Sequence, residues 1–187
     1  RAARMIMEAR RPLLMFGAGS SRPQLAPALS EFVQRVRIPF FNTQMGKGAV
    51  GGASDFYLGT AALSERDYVH QAIDRADLIV TIGHDTVEKP PFLMTQGRHQ
   101  VVHIGFVPAT VEEVYFPQVE VIGDIAKGLG LLAGRLEGKL RINPDWVALR
   151  RDILGHITDR AREDRFPLTP QRIVHDVRQV MPPDGIV

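Results

Sequence analysis

The run Asp77-Leu78-Ile79-Val80-Thr81-Ile82-Gly83 is short, apolar and rich in β-branched residues, and it ends in a glycine. Continuous apolarity over so few residues is typical of a strand that is buried on both faces, as in a parallel sheet. A glycine at the carboxyl end of such a strand lies where open α/β sheets bind their ligands. This stretch therefore predicts one strand of a parallel α/β sheet.

The same pattern occurs twice more, at residues 12–19 and 119–124, where apolar runs again end in glycine. Three such strands indicate a doubly wound, Rossmann-like parallel sheet of the nucleotide-binding type. Periodicity and composition predict five strands in all, at residues 13–16, 38–41, 78–82, 101–104 and 119–122. The first, with the helix that follows it and the second strand, forms one βαβ unit with a right-handed crossover.

The composition is that of an ordinary globular domain and excludes several classes of function. The chain has 187 residues, a formal net charge of +2 with its basic residues scattered, and no cysteine. It therefore shows no nucleic-acid footprint, no disulfide framework and no thiolate nucleophile. No apolar run approaches the length of a membrane span. We expect a cytoplasmic protein with no nucleic-acid or membrane partner.

Helical periodicity fills most of the remaining chain. Helices are predicted at residues 1–11, 23–36, 64–75, 109–114, 124–136, 143–162 and 169–182, and residues 42–64 and 83–98 are interpreted as long loops. In the last helix, four apolar residues are expected to face inward: Ile173, Val174, Val177 and Val180.

The two ends of the chain predict a segment of a longer polypeptide. The first helix has no capping residue, and the last residues, 184–187, resemble the start of a strand. We expect a central Rossmann-like domain at 1–137, a connecting arm at 138–166, and the start of a further domain at 167–187. The arm and the last helix form a C-terminal helical extension of the sheet domain.

Two glycine turns are the main candidates for a binding site. Gly17 and Gly19 follow the first strand, one glycine short of the dinucleotide fingerprint, and are open to two interpretations: a phosphate site or a tight strand-to-helix turn. Gly83, His84 and Asp85 follow the third predicted strand and could contact a sugar, a ring or a partner domain. For that second turn we favour loop capping by Asp85 with an exposed His84.

Other polar residues have simpler interpretations. Asp124 stands at a helix start, where capping explains it. His99 and His103 are four residues apart, but His103 falls within a predicted strand, so they are not expected to form a metal pair. Glu88 is interpreted as solvated. We predict no catalytic residue and no metal ligand in this chain.

Several strings resemble the central domain of thiamine diphosphate-dependent enzymes of the acetolactate synthase group. They are Arg11-Pro12-Leu13-Leu14 with Gly17-Ala18-Gly19, Met45-Gly46-Lys47-Gly48, Leu58-Gly59-Thr60, Ala76-Asp77-Leu78-Ile79 with Gly83, and Val121-Ile122-Gly123-Asp124-Ile125. The resemblance covers residues 1–137. Residues 167–187 resemble the opening of the family's carboxyl-terminal, diphosphate-binding domain.

The resemblance implies a six-stranded middle domain of a transferase that decarboxylates a 2-oxo acid and joins two such acids. Thiamine diphosphate and Mg²⁺ would bind to the flanking domains of the parent chain, and these domains would be the partners of this one. The parent enzyme would be a homo-oligomer. The family's catalytic glutamate lies in the amino-terminal domain, and its metal-binding motif lies further on than Val187. The fragment alone is therefore expected to be inactive.

Biosynthetic members of the family bind FAD in this domain. Gly17, Gly19, Gly59, Gly83 and Asp124 match the positions of its binding loops. With His84 and Asp85, which follow Gly83, they are our candidate cofactor-binding residues. Three segments depart from the flavin-binding pattern and favour a domain without FAD: Thr60-Ala61-Ala62, His84-Asp85-Thr86 and Gly105-Phe106-Val107.

Two other classes of function compete with the enzyme-part interpretation. The chain could be a free-standing FAD- or NAD-binding Rossmann module, or a scaffold whose faces pack against neighbouring domains. The scaffold and the enzyme part are compatible. We therefore expect part of an enzyme that itself acts mainly as a scaffold.

Overall fold

The computed structural model describes residues 1–61, 68–85, 87–88, 99–111, 115–141, 143–182 and 185. The chain divides into two compact units, Arg1–Val147 and Ala148–Val187. The first unit contains the whole sheet, and the described part of the second unit is helical.

The sheet has six parallel strands in the order β3-β2-β1-β4-β5-β6. The strands are β1 (Pro12–Phe16), β2 (Phe40–Thr43), β3 (Tyr57–Ala61), β4 (Leu78–Ile82), β5 (Gln100–Gly105) and β6 (Val119–Ile122). The chain adds strands in one direction from β1 to β3 and in the other from β4 to β6. The predicted doubly wound parallel α/β fold is confirmed, and its strand order reverses between β1 and β4.

Strand β3 was not predicted from the pattern, because it lies within the stretch interpreted as a loop. It is an edge strand in which only Leu58 and Ala61 are buried, and Gly59 interrupts it at a φ of +128°. The pairing with β2 also shifts register between Phe40 and Phe41. A half-buried edge strand with an internal glycine lacks the continuous apolar run that identifies the central strands.

Six helices accompany the sheet in the described parts of the chain. They are α1 (Ala2–Glu8), α2 (Ala26–Val36), α3 (Tyr68–Arg75), α4 (Ile125–Leu136), α5 (Pro144–Thr158) and α6 (Pro170–Val180). Asp124 caps α4, since its carboxylate accepts the N–H of Lys127 at 2.9 Å, and Thr169 caps α6 in the same way. No helix in these parts is long and apolar enough to cross a membrane.

Some helix bounds differ from the expected ones. Helix α1 ends at Glu8 because β1 begins at Pro12, and α2 starts only after a 3₁₀ turn at Pro23–Leu25. Residues 109–111 of the expected helix at 109–114 are not helical. The remainder of that helix, residues 64–67 and most of the expected final strand lie outside the described residues.

The two faces of the sheet differ in what they bury. Side chains alternate along each strand, so Leu14, Val80 and Val102 face one side and join a core with α1, α2 and α4. On that side α2 packs beside α4. Thr81 and His103 occupy the alternate positions and are buried on the opposite face. A polar cluster therefore lies inside the domain on that opposite face.

The prediction that the apolar residues of α6 face inward is wrong. All four of its apolar residues are exposed, with exposed fractions of 48% for Ile173, 70% for Val174, 42% for Val177 and 85% for Val180. The periodicity is amphipathic, but the described part of the chain places no layer of residues on that face.

Backbone contacts hold the turns after β1 and β4 against each other. The N–H of Gly17 donates to the carbonyl of Ile82 at 2.9 Å, and that of Gly19 donates to the carbonyl of Gly83 at 2.8 Å. A Cβ on Gly17 would lie 2.5 Å from the Cα of His84, and one on Gly83, whose φ is +62°, would lie 2.5 Å from the Ser20 nitrogen. Only glycine permits this approach.

We therefore expect Gly17→Ala to lower the free energy of unfolding by about 2 kcal/mol or more, because the added methyl group overlaps backbone that cannot move away. Gly130→Ala is the matched control: it lies in the middle of α4 with open space around its Cα. Alanine there is expected to stabilise the protein by up to about 1 kcal/mol. Urea unfolding of both variants measures the difference, and equal effects would contradict the close contact.

Candidate functional site

A cleft of about 320 Å³ lies beyond the carboxyl ends of β1, β4 and β5. It sits where the strand order reverses, which is the usual ligand position in open α/β sheets. The turn after β1, the turn after β4 and the segment after β5 form its walls, and they include Gly19, Arg22, Gly83, His84, Asp85 and Phe106.

Glu88 is buried beside this cleft, with an exposed fraction of 6%, so its interpretation as a solvated residue is wrong. Its carboxylate accepts the N–H of Ala18, at 2.9 Å from each oxygen, and the N–H of Asp85 at 3.0 Å. The hydroxyl of Thr43 donates to it at 2.6 Å. One side chain thus joins the ends of β1, β2 and β4, and these hydrogen bonds offset the cost of its burial.

His84 is also buried, which contradicts the expectation of an exposed side chain. Neither ring nitrogen has a hydrogen-bond partner among the described residues, and Nδ1 lies 3.7 Å from Glu88 Oε1, beyond hydrogen-bond range. The ring packs edge-on against Tyr115, with centroids 5.1 Å apart.

Burial lowers the pKa of His84 to about 4, because the charged imidazolium loses its hydration. The negative charges of Glu88 and Asp85 raise this pKa in part, and His103 lowers it further. His84 is therefore neutral at pH 7.

A hydrogen-bonded cluster of Thr81, His103 and Tyr115 adjoins His84. The Tyr115 hydroxyl lies 2.5 Å from Thr81 Oγ1 and 2.8 Å from His103 Nδ1, and His103 Nε2 lies 3.2 Å from the carbonyl oxygen of Val107. Burial lowers the pKa of His103 and raises that of Tyr115. Both groups are uncharged at pH 7, so the cluster orders the wall of the cleft without adding charge.

The outer part of the cleft is more polar and more exposed. The Arg22 guanidinium carbon lies 4.2 Å above the centroid of the Phe106 ring, a cation–π contact between two walls. Asp85 caps its own loop, since Oδ1 accepts the N–H of Val87 at 3.2 Å.

The structure brings five of the seven candidate cofactor-binding residues together. Gly19, Gly83, His84 and Asp85 line the cleft, and Gly17 is in contact with His84 and Glu88. The other two lie elsewhere: Gly59 is in the edge strand β3, and Asp124 caps α4.

Sequence reasoning missed Glu88, Thr43 and Tyr115. Thr43 ends β2, so the rule that the carboxyl ends of parallel strands meet at one edge could have placed it near Gly17. Glu88 and Tyr115 come several residues after the ends of β4 and β5, and no spacing in the sequence indicates that their side chains are buried.

The described residues contain no group of three His, Cys, Asp or Glu side chains that could hold a metal ion. Mg²⁺ that is bound with a diphosphate is held by one or two protein carboxylates besides the phosphates. Among the described residues that line the cleft Asp85 is the one carboxylate, and its Oδ1 accepts the N–H of Val87.

The burial of His84 gives stability a defined pH dependence. Its folded pKa of about 4 lies below the ordinary value of 6.5, so the unfolded state binds more protons between these pH values. Stability is therefore expected to fall as pH drops from about 6.5 to about 4. His84→Phe, which keeps a ring against Tyr115, should weaken this dependence. The midpoint of the His84 imidazole titration by NMR checks the pKa, and a midpoint near 6.5 would contradict the burial.

Comparison with curated proteins finds relatives along nearly the whole chain. It is 30% identical to "Acetolactate synthase, catabolic" of Raoultella terrigena over 97% of the chain and 34% of that protein. It is 29% identical to "Acetolactate synthase" of Bacillus subtilis (strain 168), over 94% of the chain and 27% of that protein. "Glyoxylate carboligase" of Escherichia coli O157:H7 is 24% identical over 96% of the chain and 32% of its own length. The chain spans about a third of the length of these relatives.

A family model for the central domain of thiamine pyrophosphate enzymes matches residues 1–132. The match contains all six strands and both glycine turns of the cleft. This match agrees with the family resemblance that was inferred from the strands that end in glycine. The chain therefore belongs to the thiamine pyrophosphate enzyme family, and its sheet unit is the central domain of that family.

Proposed function

We propose that this chain is the central domain of an acetolactate synthase-like transferase, which decarboxylates one 2-oxo acid and joins the product to a second. The similarity to a catabolic acetolactate synthase, 30% identity over 97% of the chain, carries this proposal. Neither the family model nor the named relatives support a free-standing FAD- or NAD-binding module.

The domain's own role in this proposal is that of a scaffold. We place the central domain at 1–137, the connecting arm at 138–166 and the start of a diphosphate-binding domain at 167–187. Thiamine diphosphate and Mg²⁺ would bind to the flanking domains, as the membership of the thiamine pyrophosphate enzyme family implies. The domain would act through packing and would lie in a cytoplasmic homo-oligomer.

The exposed apolar face of α6 supports this arrangement. An amphipathic helix without a covering layer is typical of a surface that meets another protein segment. A following domain of the same polypeptide would cover it. The seven candidate cofactor-binding residues stay a prediction, and we propose that the cleft holds no FAD.

The product of the complete gene is expected to form acetolactate from pyruvate when thiamine diphosphate and Mg²⁺ are supplied. Release of CO₂ together with acetoin, formed after acidification of the product, measures the reaction. No flavin should be required. Glyoxylate is the comparison substrate, because one relative carries the name glyoxylate carboligase. Faster turnover of glyoxylate than of pyruvate would contradict the acetolactate synthase assignment and favour a carboligase of that second kind.

The chain of residues 1–187 is the matched control for the scaffold role. Purified alone, it should consume no pyruvate under the same conditions. Turnover by this chain would contradict the placement of the reacting groups outside it.

A further inference from the structure

The turn after β1 binds a carboxylate of the same chain, that of Glu88. The Glu88 carboxylate receives two backbone N–H groups, from Ala18 and Asp85, and one hydroxyl, from Thr43. In doubly wound folds, backbone N–H groups of a glycine turn after the first strand are the donors that hold a ligand's phosphate. Here a carboxylate occupies that position.

The geometry of Gly17 supports the same interpretation. In a dinucleotide fold a glycine at this turn leaves room for the pyrophosphate to approach the backbone. A Cβ on Gly17 would lie 2.5 Å from the His84 Cα and 2.7 Å from both Glu88 Oε1 and the Gly83 carbonyl oxygen. The room that this glycine leaves is therefore filled by the backbone after β4 together with the Glu88 carboxylate.

Among the described residues, hydrogen bonds stabilise the Glu88 carboxylate and no Lys or Arg forms an ion pair with it; its side chain is 4% exposed. His84 lies beside it, with Nδ1 at 3.7 Å from Glu88 Oε1, and neither ring nitrogen of His84 has a hydrogen-bond partner in this part of the structure. A diphosphate at this turn would meet a like charge at short range and would find its donors already engaged.

We propose that the Glu88 carboxylate occupies the phosphate position at the switch point, the place between β1 and β4 where the strand order reverses. It thereby makes this domain select against FAD, ADP and other ligands with a diphosphate. The cleft beside it remains open, but the N–H groups of Ala18 and Asp85 are already bound to Glu88. The inference concerns ligand choice by the central domain and stands whether or not the parent enzyme makes acetolactate.

Chemical rescue tests the proposal in the protein expressed from the complete gene. Glu88→Ala should lower the melting temperature by about 5 °C or more, because it leaves two partly buried N–H groups and a buried hydroxyl without their acceptor. Sodium formate or inorganic phosphate should then raise its melting temperature more than NaCl of equal ionic strength does. The wild-type protein should show no such anion-specific rise and no saturable binding of FAD or ADP by calorimetry.

Glu120→Ala is the matched control. Glu120 also accepts a backbone N–H beside the cleft, that of Ala109 at 2.7 Å, but it is exposed. Its removal should have little effect on the melting temperature and should create no anion-specific rescue. Should Glu88→Ala fail to fold, Glu88→Gln tests the carboxylate in a second way: the amide keeps the shape and loses the charge, so the melting temperature should fall without any anion-specific rescue.

Three results would overturn the proposal. The first is saturable binding of FAD or ADP by the wild-type protein. The second is a melting temperature unchanged in both Glu88 variants. The third is a response to formate and phosphate that is equal in Glu88→Ala, the wild type and Glu120→Ala.

Discussion

The close approach of two backbone turns is the constraint on which the rest of this domain depends. Gly17 and Gly19 after β1 donate to the carbonyls of Ile82 and Gly83 at the end of β4. This contact fixes the two strands between which the strand order reverses. Because both partners are main chain, the spacing leaves no room for any side chain larger than hydrogen.

Beside that contact, a cluster of polar side chains is buried on one face of the sheet. Neutral His84, His103 and Tyr115 are buried together beside one charged group, Glu88. The charge is held by amide and hydroxyl donors from three strand ends, whereas the uncharged groups form their own hydrogen-bonded cluster or pack as rings. A single carboxylate thus links the ends of strands that are distant in the sequence.

The sequence predicts the central features of the fold well, because buried parallel strands are continuous apolar runs. Strands β1, β4 and β6 and the helix cap at Asp124 were all within reach of pattern reasoning. Strand β3 was not, since an edge strand with Gly59 inside it has no apolar run. The two glycine turns meet beside a cleft, as expected for turns at the carboxyl ends of neighbouring parallel strands, and their role in binding stays a prediction. Glu88 and His84 were misjudged because the burial of a loop side chain depends on tertiary contacts that local composition does not encode.

The tether of Glu88 has a consequence for how the domain responds to its surroundings. A cofactor stabilises a protein by mass action, so its contribution falls on dilution or when its supply is low. A carboxylate on the same polypeptide stays at a fixed effective concentration. Under the proposed role of Glu88, the turn after β1 keeps its acceptor whatever the cell's flavin supply.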